Sequence, residues 1–361
     1  MNRLLIIYCQ FLIVLSSCQN NAEKIQGNWI EKDNFENPTI LEIEDFSFKI
    51  TSNNRKHEKL YHIQNDTFYV NGIDKIYKSI IKLEDNELEI YDIDSVTPTH
   101  IFERYIYENI VDYFNSKKRT SIELPRIELS IKGTGYNYQN SLFADYINGE
   151  LVLHFNGDLH ELNDTSYLSL TKNNWKTKCQ LFIDKDIKVN ELNTIKTELR
   201  KAHLNSIGYA TIDSNGIIKN IGTLLPPIDS ISDIPLPPPP PIMAWSGQNN
   251  IIIQIKAESL SINEDSVKKE SFIETLKNRI KSNNNAILRV FFNKQLNYET
   301  YINHLNEIHT AYFELRNEYS KATYNIDEYL ELEYEEIRKV RKQFPMKIHE
   351  INEEEIEKYA L

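Results

Sequence analysis

From about Glu23 to Arg104 apolar and polar residues alternate in short bursts, the period-two signature of strands with one wet face. The alternation predicts strands at Gly27–Lys32, Thr39–Ile43, Phe46–Thr51, Lys59–Ile63, Thr67–Val70, Ile76–Leu83, Glu87–Tyr91 and His100–Tyr105. Between them stand Ser52-Asn53-Asn54, Gln64-Asn65-Asp66, Asn71-Gly72 and Glu84-Asp85-Asn86. Asn, Asp and Gly tolerate left-handed backbone, so these clusters read as tight turns. Eight short strands joined by tight turns predict a closed or nearly closed up-and-down barrel. A helix is expected over Ile106–Phe114, with Lys117-Lys118-Arg119 as a solvated loop.

Beyond residue 120 the pattern changes and repeats itself. "LVLHFNGDLHEL" (Leu151–Leu162) and "IIIQIKAESLSI" (Ile251–Ile262) both read as strand, tight connection, short strand. "LFIDKDI" (Leu181–Ile187) and "VFFNKQL" (Val290–Leu296) share a strand-then-turn pattern with a central lysine. Amphipathic helices follow. Leu192, Ile195, Leu199 and Ala202 fall on one helical face, as do Ile302, Leu305, Ile308 and Tyr312. A further helix in the second copy carries Phe272, Ile273, Leu276 and Ile280 on one face. The copies are expected to close with strands at Ile207–Ile212 and Tyr312–Leu315. Between the copies Pro235-Leu236-Pro237-Pro238-Pro239-Pro240-Pro241 reads as a semi-rigid polyproline spacer.

The N-terminus has another logic. Arg3 supplies a positive charge, Leu4 to Leu15 run apolar, and the run is too short to cross a bilayer as a helix. Leu15-Ser16-Ser17-Cys18 resembles the lipobox of bacterial lipoproteins. That resemblance implies a signal peptide over residues 1–17 and palmitate-type acylation of Cys18. Several acyl chains make a firm tether where one does not. An ordinary signal peptide with a chance cysteine is the alternative. Gln19 follows the anchor, which favours an outer-membrane lipoprotein facing the periplasm.

Two more resemblances concern the folded part. Gln26-Gly27-Asn28-Trp29 resembles the Gly-x-Trp opening of lipocalin-like domains, which makes Trp29 the candidate for closing one end of the barrel. The strand-strand-helix-strand-helix-strand pattern of the two copies, with the Asp184-Lys185 and Asn293-Lys294 turns, resembles the periplasmic domain of the ExbD/TolR family of biopolymer-transport proteins. The tail Glu314–Pro345 is similar to the C-terminal extension of ExbD-like proteins. Family members work through a transmembrane helix carrying an aspartate. No such helix is read here, so proton-driven work is not carried over. What the likeness implies is a module that pairs with itself and with cell-envelope partners, a homodimer included. The expected fold is thus multidomain: a small antiparallel β-barrel, lipocalin-like, at 23–105, and two α+β domains of ExbD/TolR-like type at 121–232 and 249–361, joined by a Pro-rich linker at 233–248.

Composition narrows the partners. A net charge of −12 argues against nucleic acid, whose phosphates need a basic face, and against docking on anionic lipid by charge alone. Cys9 leaves with the signal and Cys18 becomes the anchor, so Cys179 has no disulfide partner and reads as a core residue. Alternation leaves His154 on the opposite face from Leu153 and Phe155, which predicts a half-buried or solvated histidine flanking a turn with His160. His304 and His309 lie five apart on a helix, a poor fit for shared ligation. Glu331, Glu333 and Glu353–Glu355 read as solvated acidic faces beside Arg338, Lys339, Arg341 and Lys342. No nucleophile elbow, phosphate loop or dinucleotide fingerprint is present, and no catalytic residue, metal ligand or cofactor site is read. The expectation is a non-enzymatic cell-envelope lipoprotein acting as an interaction module, with a barrel that carries a small molecule as the alternative.

Overall fold

A computed structural model describes residues 24–35, 38–45, 47–52, 55–64, 66–71, 75–84, 86–93, 95–128, 140–160, 178–201, 204, 206–225 and 250–360. The signal segment, Cys18, Ala202 and the Pro-rich linker lie outside the described residues. The described chain divides into two compact units.

The first unit is an eight-stranded barrel, closed by β8 pairing back to β1. Its strands are β1 Gly27–Glu31, β2 Ile40–Ile43, β3 Ser47–Ser52, β4 Arg55–Gln64, β5 Thr67–Asn71, β6 Ile76–Glu84, β7 Glu87–Asp92 and β8 His100–Arg104. All pairs are antiparallel neighbours in sequence, so the expected up-and-down barrel is what forms. Alternation decides the inside: Trp29, Leu41, Phe48, Phe68, Leu88 and Phe102 are buried on the inner face.

The helix after the barrel is displaced from its expected place. α1 spans Ile110–Lys118, not Ile106–Phe114. Asn109 decides the start: its Oδ1 accepts the Val111 N–H at 2.9 Å and the Asp112 N–H at 3.2 Å, covering donors a helix otherwise leaves open. Lys117 and Lys118 are not loop residues. They occupy the last turn, where cations suit the helix dipole, and Arg119 ends it at φ 57°. Tyr113 and Phe114 are buried against Phe35, at ring distances of 5.4 and 5.3 Å.

The second unit holds two mixed sheets with helices. The first sheet has the order β11-β10-β9-β12-β13-β14: β9 Asn140–Ile147, β10 Glu150–Phe155, β11 Asp158–His160, β12 Lys178–Ile183, β13 Ser206–Ile212 and β14 Ile218–Leu224. The second has the order β17-β16-β15-β18-β19: β15 Asn250–Ile255, β16 Leu260–Ile262, β17 Asp265–Ser266, β18 Ile287–Phe292 and β19 Ile348–Ile351. The helices are α2 Val189–Lys201, α3 Phe272–Ser282, α4 Tyr298–Tyr324, α5 Tyr334–Gln343 and α6 Glu353–Ala360. Among the described residues no helix is long and apolar enough to cross a membrane.

The two copies do share an element order, but one strand out of the expected alignment. Asp184 N–H donates to the Ala144 carbonyl at 3.0 Å, and Asn293 N–H donates to the Ile255 carbonyl at 2.9 Å. β15 therefore matches β9, a strand absent from the expected elements, and β16 matches β10. From β12 and β18 onward, residue n of the first copy matches n + 109 of the second: Lys178–Ile183 on Ile287–Phe292, and Val189 on Tyr298. Both matched turns use the same device. Asp184 Oδ1 accepts Asp186 N–H and Asn293 Oδ1 accepts Gln295 N–H, each at 2.9 Å.

The expected strand at Tyr312–Leu315 is absent, since those residues lie inside α4. The apolar period of three and four runs on through Ile308, Tyr312 and Leu315 with no Gly or Pro to interrupt it, so the helix continues to Tyr324.

The two copies start their helices on each other. Val189 N–H donates to the Leu296 carbonyl at 2.9 Å, and its match Tyr298 N–H donates to the Ile187 carbonyl at 2.7 Å. Asn190 N–H donates to the Lys294 carbonyl at 3.2 Å, and its match Glu299 N–H to the Lys185 carbonyl at 3.0 Å. Lys188 and Asn297, matched residues, bridge each other at the centre. The first N–H groups of a helix have no partner inside it, so each copy supplies the carbonyls the other lacks. One hydrophobic cluster runs through both copies, with Leu181, Leu192 and Tyr209 from the first and Ile253, Leu288 and Ile302 from the second.

A shared core makes a direct prediction. Leu192→Ala and Ile302→Ala each cost about 2–5 kcal/mol as cavity mutations. Both should move the same urea transition, followed by amide signals of β12 and of β18. Two transitions that move one at a time would contradict the shared core.

Candidate functional site

Inner positions of the barrel alternate with outer ones, so its interior chemistry can be read strand by strand. One end is plugged. Trp29 is fully buried, its Nε1–H donates to the Ile25 carbonyl at 2.7 Å, and the Arg104 guanidinium lies 4.0 Å from the ring centre. Arg104 sits beside Trp29 in the β1–β8 register. Its Nη1 donates to the Gln26 carbonyl and its Nη2 to the Lys24 carbonyl at 2.5 Å. A cation held over an indole face and anchored to two carbonyls fixes the segment Lys24–Gln26 across the barrel end. Trp29 is buried near the end of the barrel where β1 begins and β8 ends. Arg104 was not singled out from the sequence, although a charged residue at an inward position of β8 is the signal that marks it.

Above the plug the barrel contains a cavity of about 200 Å³. Its floor and walls are apolar, with Ile25, Leu41, Phe48, Phe68, Ile81 and Phe102 among them. Three polar side chains, Thr39, Ser79 and His100, also line it. Thr39 and His100 belong to the strand ends opposite the plug, because antiparallel order puts the turns after β1, β3, β5 and β7 at one end. His100 Nδ1 lies 3.2 Å from Glu31 Oε1, and Asn34 Nδ2 donates to Glu31 Oε2 at 2.9 Å. Partial burial pushes the Glu31 carboxyl up, but hydrogen bonds from Asn34, His100 and Thr39 outweigh it and hold the group below the usual carboxylate range. The site is an apolar chamber with a hydrogen-bonding rim on one side.

The residues flagged in the sequence fare differently. Cys179 is buried in the core, and burial pushes its thiol well up, away from thiolate chemistry. His154 is buried, not solvated. Phe143, directly across from it on β9, is also buried and stacks on Phe182 at 4.5 Å. Both faces of this sheet are covered, and alternation tells two faces apart without telling which is wet. His304 Nδ1 meets Glu307 Oε2 at 2.6 Å, and His309 is buried. Among the described residues no group of three or more His, Cys, Asp or Glu is placed to hold a metal ion.

The second unit contains a buried polar cluster that sequence reasoning missed. Lys196 Nζ donates to Glu350 Oε2 at 2.8 Å and to Tyr301 Oη at 2.9 Å. Tyr301 Oη donates to Glu350 Oε1 at 2.7 Å, and Tyr209 Oη lies 3.2 Å from Tyr301 Oη. Burial lowers the Lys196 ammonium's pKa, and the Glu350 charge opposes this without cancelling it. A lysine within the α2 pattern gave no sign of its partner, which lies 154 residues away. The cluster joins the two copies.

No protein-family model matches the chain, and no curated protein or solved structure matches it.

Two outcomes follow from the buried groups. Glu350→Leu strands the Lys196 ammonium and should cost about 3–5 kcal/mol in urea unfolding, while Lys196→Met with Glu350→Leu recovers most of that loss. A double variant as unstable as the single one would contradict the pairing. His309 is lowered to about 4 by burial, with the Arg316 charge adding to it. The unfolded imidazole takes its proton near 6.5, so stability is full above that pH and falls as pH drops toward 4, by up to about 3 kcal/mol. His309→Leu should flatten that part of the stability–pH curve; an unchanged curve would contradict it.

Proposed function

We propose that the protein binds a small, mainly apolar molecule in its N-terminal barrel and holds it without catalysis. The single observation that carries this is the cavity of about 200 Å³ with apolar walls and a rim of Thr39, Ser79 and His100. Apolar cavities of about 150 Å³ stay dry and take a molecule of benzene's size. Burial of apolar ligand surface then drives binding at about 25 cal/mol per Å². A ligand with one hydrogen-bonding end matches the rim and the chamber together. The size fits a single small ring system or a short chain, smaller than the usual cargo of a full-size lipocalin-like barrel.

The lipobox resemblance favours the cell envelope for this binding, on a tether at Cys18. The ExbD/TolR likeness of the two later copies supports a contact role there, with the barrel as the part that senses or carries a small molecule.

The test uses the full chain and indole as probe, followed by ligand-observed NMR. Saturable binding is expected, and Val70→Trp, which fills the cavity from a half-buried lining position, should abolish it while leaving the barrel's amide pattern in place. Absence of saturable binding, or binding indifferent to Val70→Trp, overturns the proposal.

A further inference from the structure

The two copies in the second unit differ at one sheet edge. Leu181 faces Tyr209 across β12 and β13, and its match Val290 faces Glu350 across β18 and β19. Ile348 and Glu350 therefore match Ile207 and Tyr209. In the first copy those two residues face Thr223 and Ile221 of β14, an antiparallel strand that covers β13 along its length. In the second copy β19 ends the sheet, and no described strand lies beyond it.

The backbone shows what this leaves open. Leu288 N–H donates to the Lys347 carbonyl at 2.9 Å, so Lys347, His349 and Ile351 turn their peptide groups toward β18. Alternation turns the N–H and C=O of Ile348 and Glu350 the other way. Among the described residues no backbone group bonds to them. Ile348 and Glu350 are half-buried, so these are polar backbone groups at a partly covered edge.

We propose that the outer edge of β19 takes an extended segment of another polypeptide, laid antiparallel along Ile348–Ile351 as β14 lies along β13. The template for the occupant is already in the chain. β14 brings β-branched Thr223 and Ile221 to the matched positions, so the segment carries free N–H groups at two alternate residues and no proline there. It sets an apolar or β-branched residue opposite Ile348. Opposite Glu350, whose carboxylate already holds Lys196 and is one-third exposed at 34%, it sets a hydrogen-bond donor. Backbone bonds supply the affinity and these two positions the selectivity. The edge is independent of the barrel cavity, and its test does not depend on a barrel ligand.

The experiment selects from a displayed library of random nonapeptides on the full chain, then measures the selected peptides in solution. Ile348→Pro removes the outward N–H, which an edge strand tolerates, and should weaken binding by about tenfold or more. Ile348→Val should leave it within about twofold. N-methylation of alternate peptide amides should reproduce the loss, and that series stands alone should Ile348→Pro fail to fold. Failure to select any peptide, or binding indifferent to both Ile348→Pro and N-methylation, overturns the proposal. So does a wild-type dimer in sedimentation that Ile348→Pro dissociates, because the occupant would then be a second copy of this chain.

Discussion

Four reciprocal hydrogen bonds, two donated by each copy, tie the two halves of the second unit together. A helix cannot satisfy its own first N–H groups, and leaving them bare inside a protein costs as much as breaking a hydrogen bond. Here the carbonyls come from the turn of the opposite copy: Leu296 and Lys294 for α2, Ile187 and Lys185 for α4. Neither copy can start its helix in this way alone. That constraint fixes the register between the copies, brings the apolar faces of α2 and α4 into one core, and places Lys196 within reach of Glu350.

The consequence for function is a division of labour. The barrel offers a chamber closed by Trp29 and Arg104 at one end and rimmed by hydrogen-bonding side chains at the other. The second unit has satisfied its own pairing inside one chain. Self-association through the helix starts is therefore already used up, and the outer edge of β19, where the first copy carries β14, is one of the places where the copies differ. A small-molecule chamber and an unpaired strand edge suit a protein that works by holding and touching, and they sit in different units.

Much of the barrel was legible because period-two alternation and Asn-rich turns act locally. All eight strands formed within a few residues of their expected bounds. Gly-x-Trp spacing singled out Trp29, which is buried in the barrel core, whereas Arg104, Thr39, Ser79 and His100 needed the register to show that they point inward. In the second unit the helical faces were legible from spacing. The β9–β10 hairpin was signalled by Asn148-Gly149, whose φ values of 54° and 84° suit a tight two-residue turn, and overlooking it shifted the repeat alignment by one strand. The start of α1 at Asn109 and the length of α4 turned on a cap and on the lack of a breaker. The cross-copy bonds and the Lys196 cluster were not legible, because backbone carbonyls leave no trace in side-chain identity and the partners lie about a hundred residues apart.

Amide hydrogen exchange at Val189, Asn190, Tyr298 and Glu299 tests the central claim most directly. N–H groups in the first turn of a helix ordinarily exchange through fraying, at little free-energy cost. Reciprocal capping predicts the opposite: all four protected to the level of β12 and β18, and all four released together when the second unit opens. Fast exchange at these four amides, with β12 and β18 still protected, would mean that the two copies do not hold each other's helices.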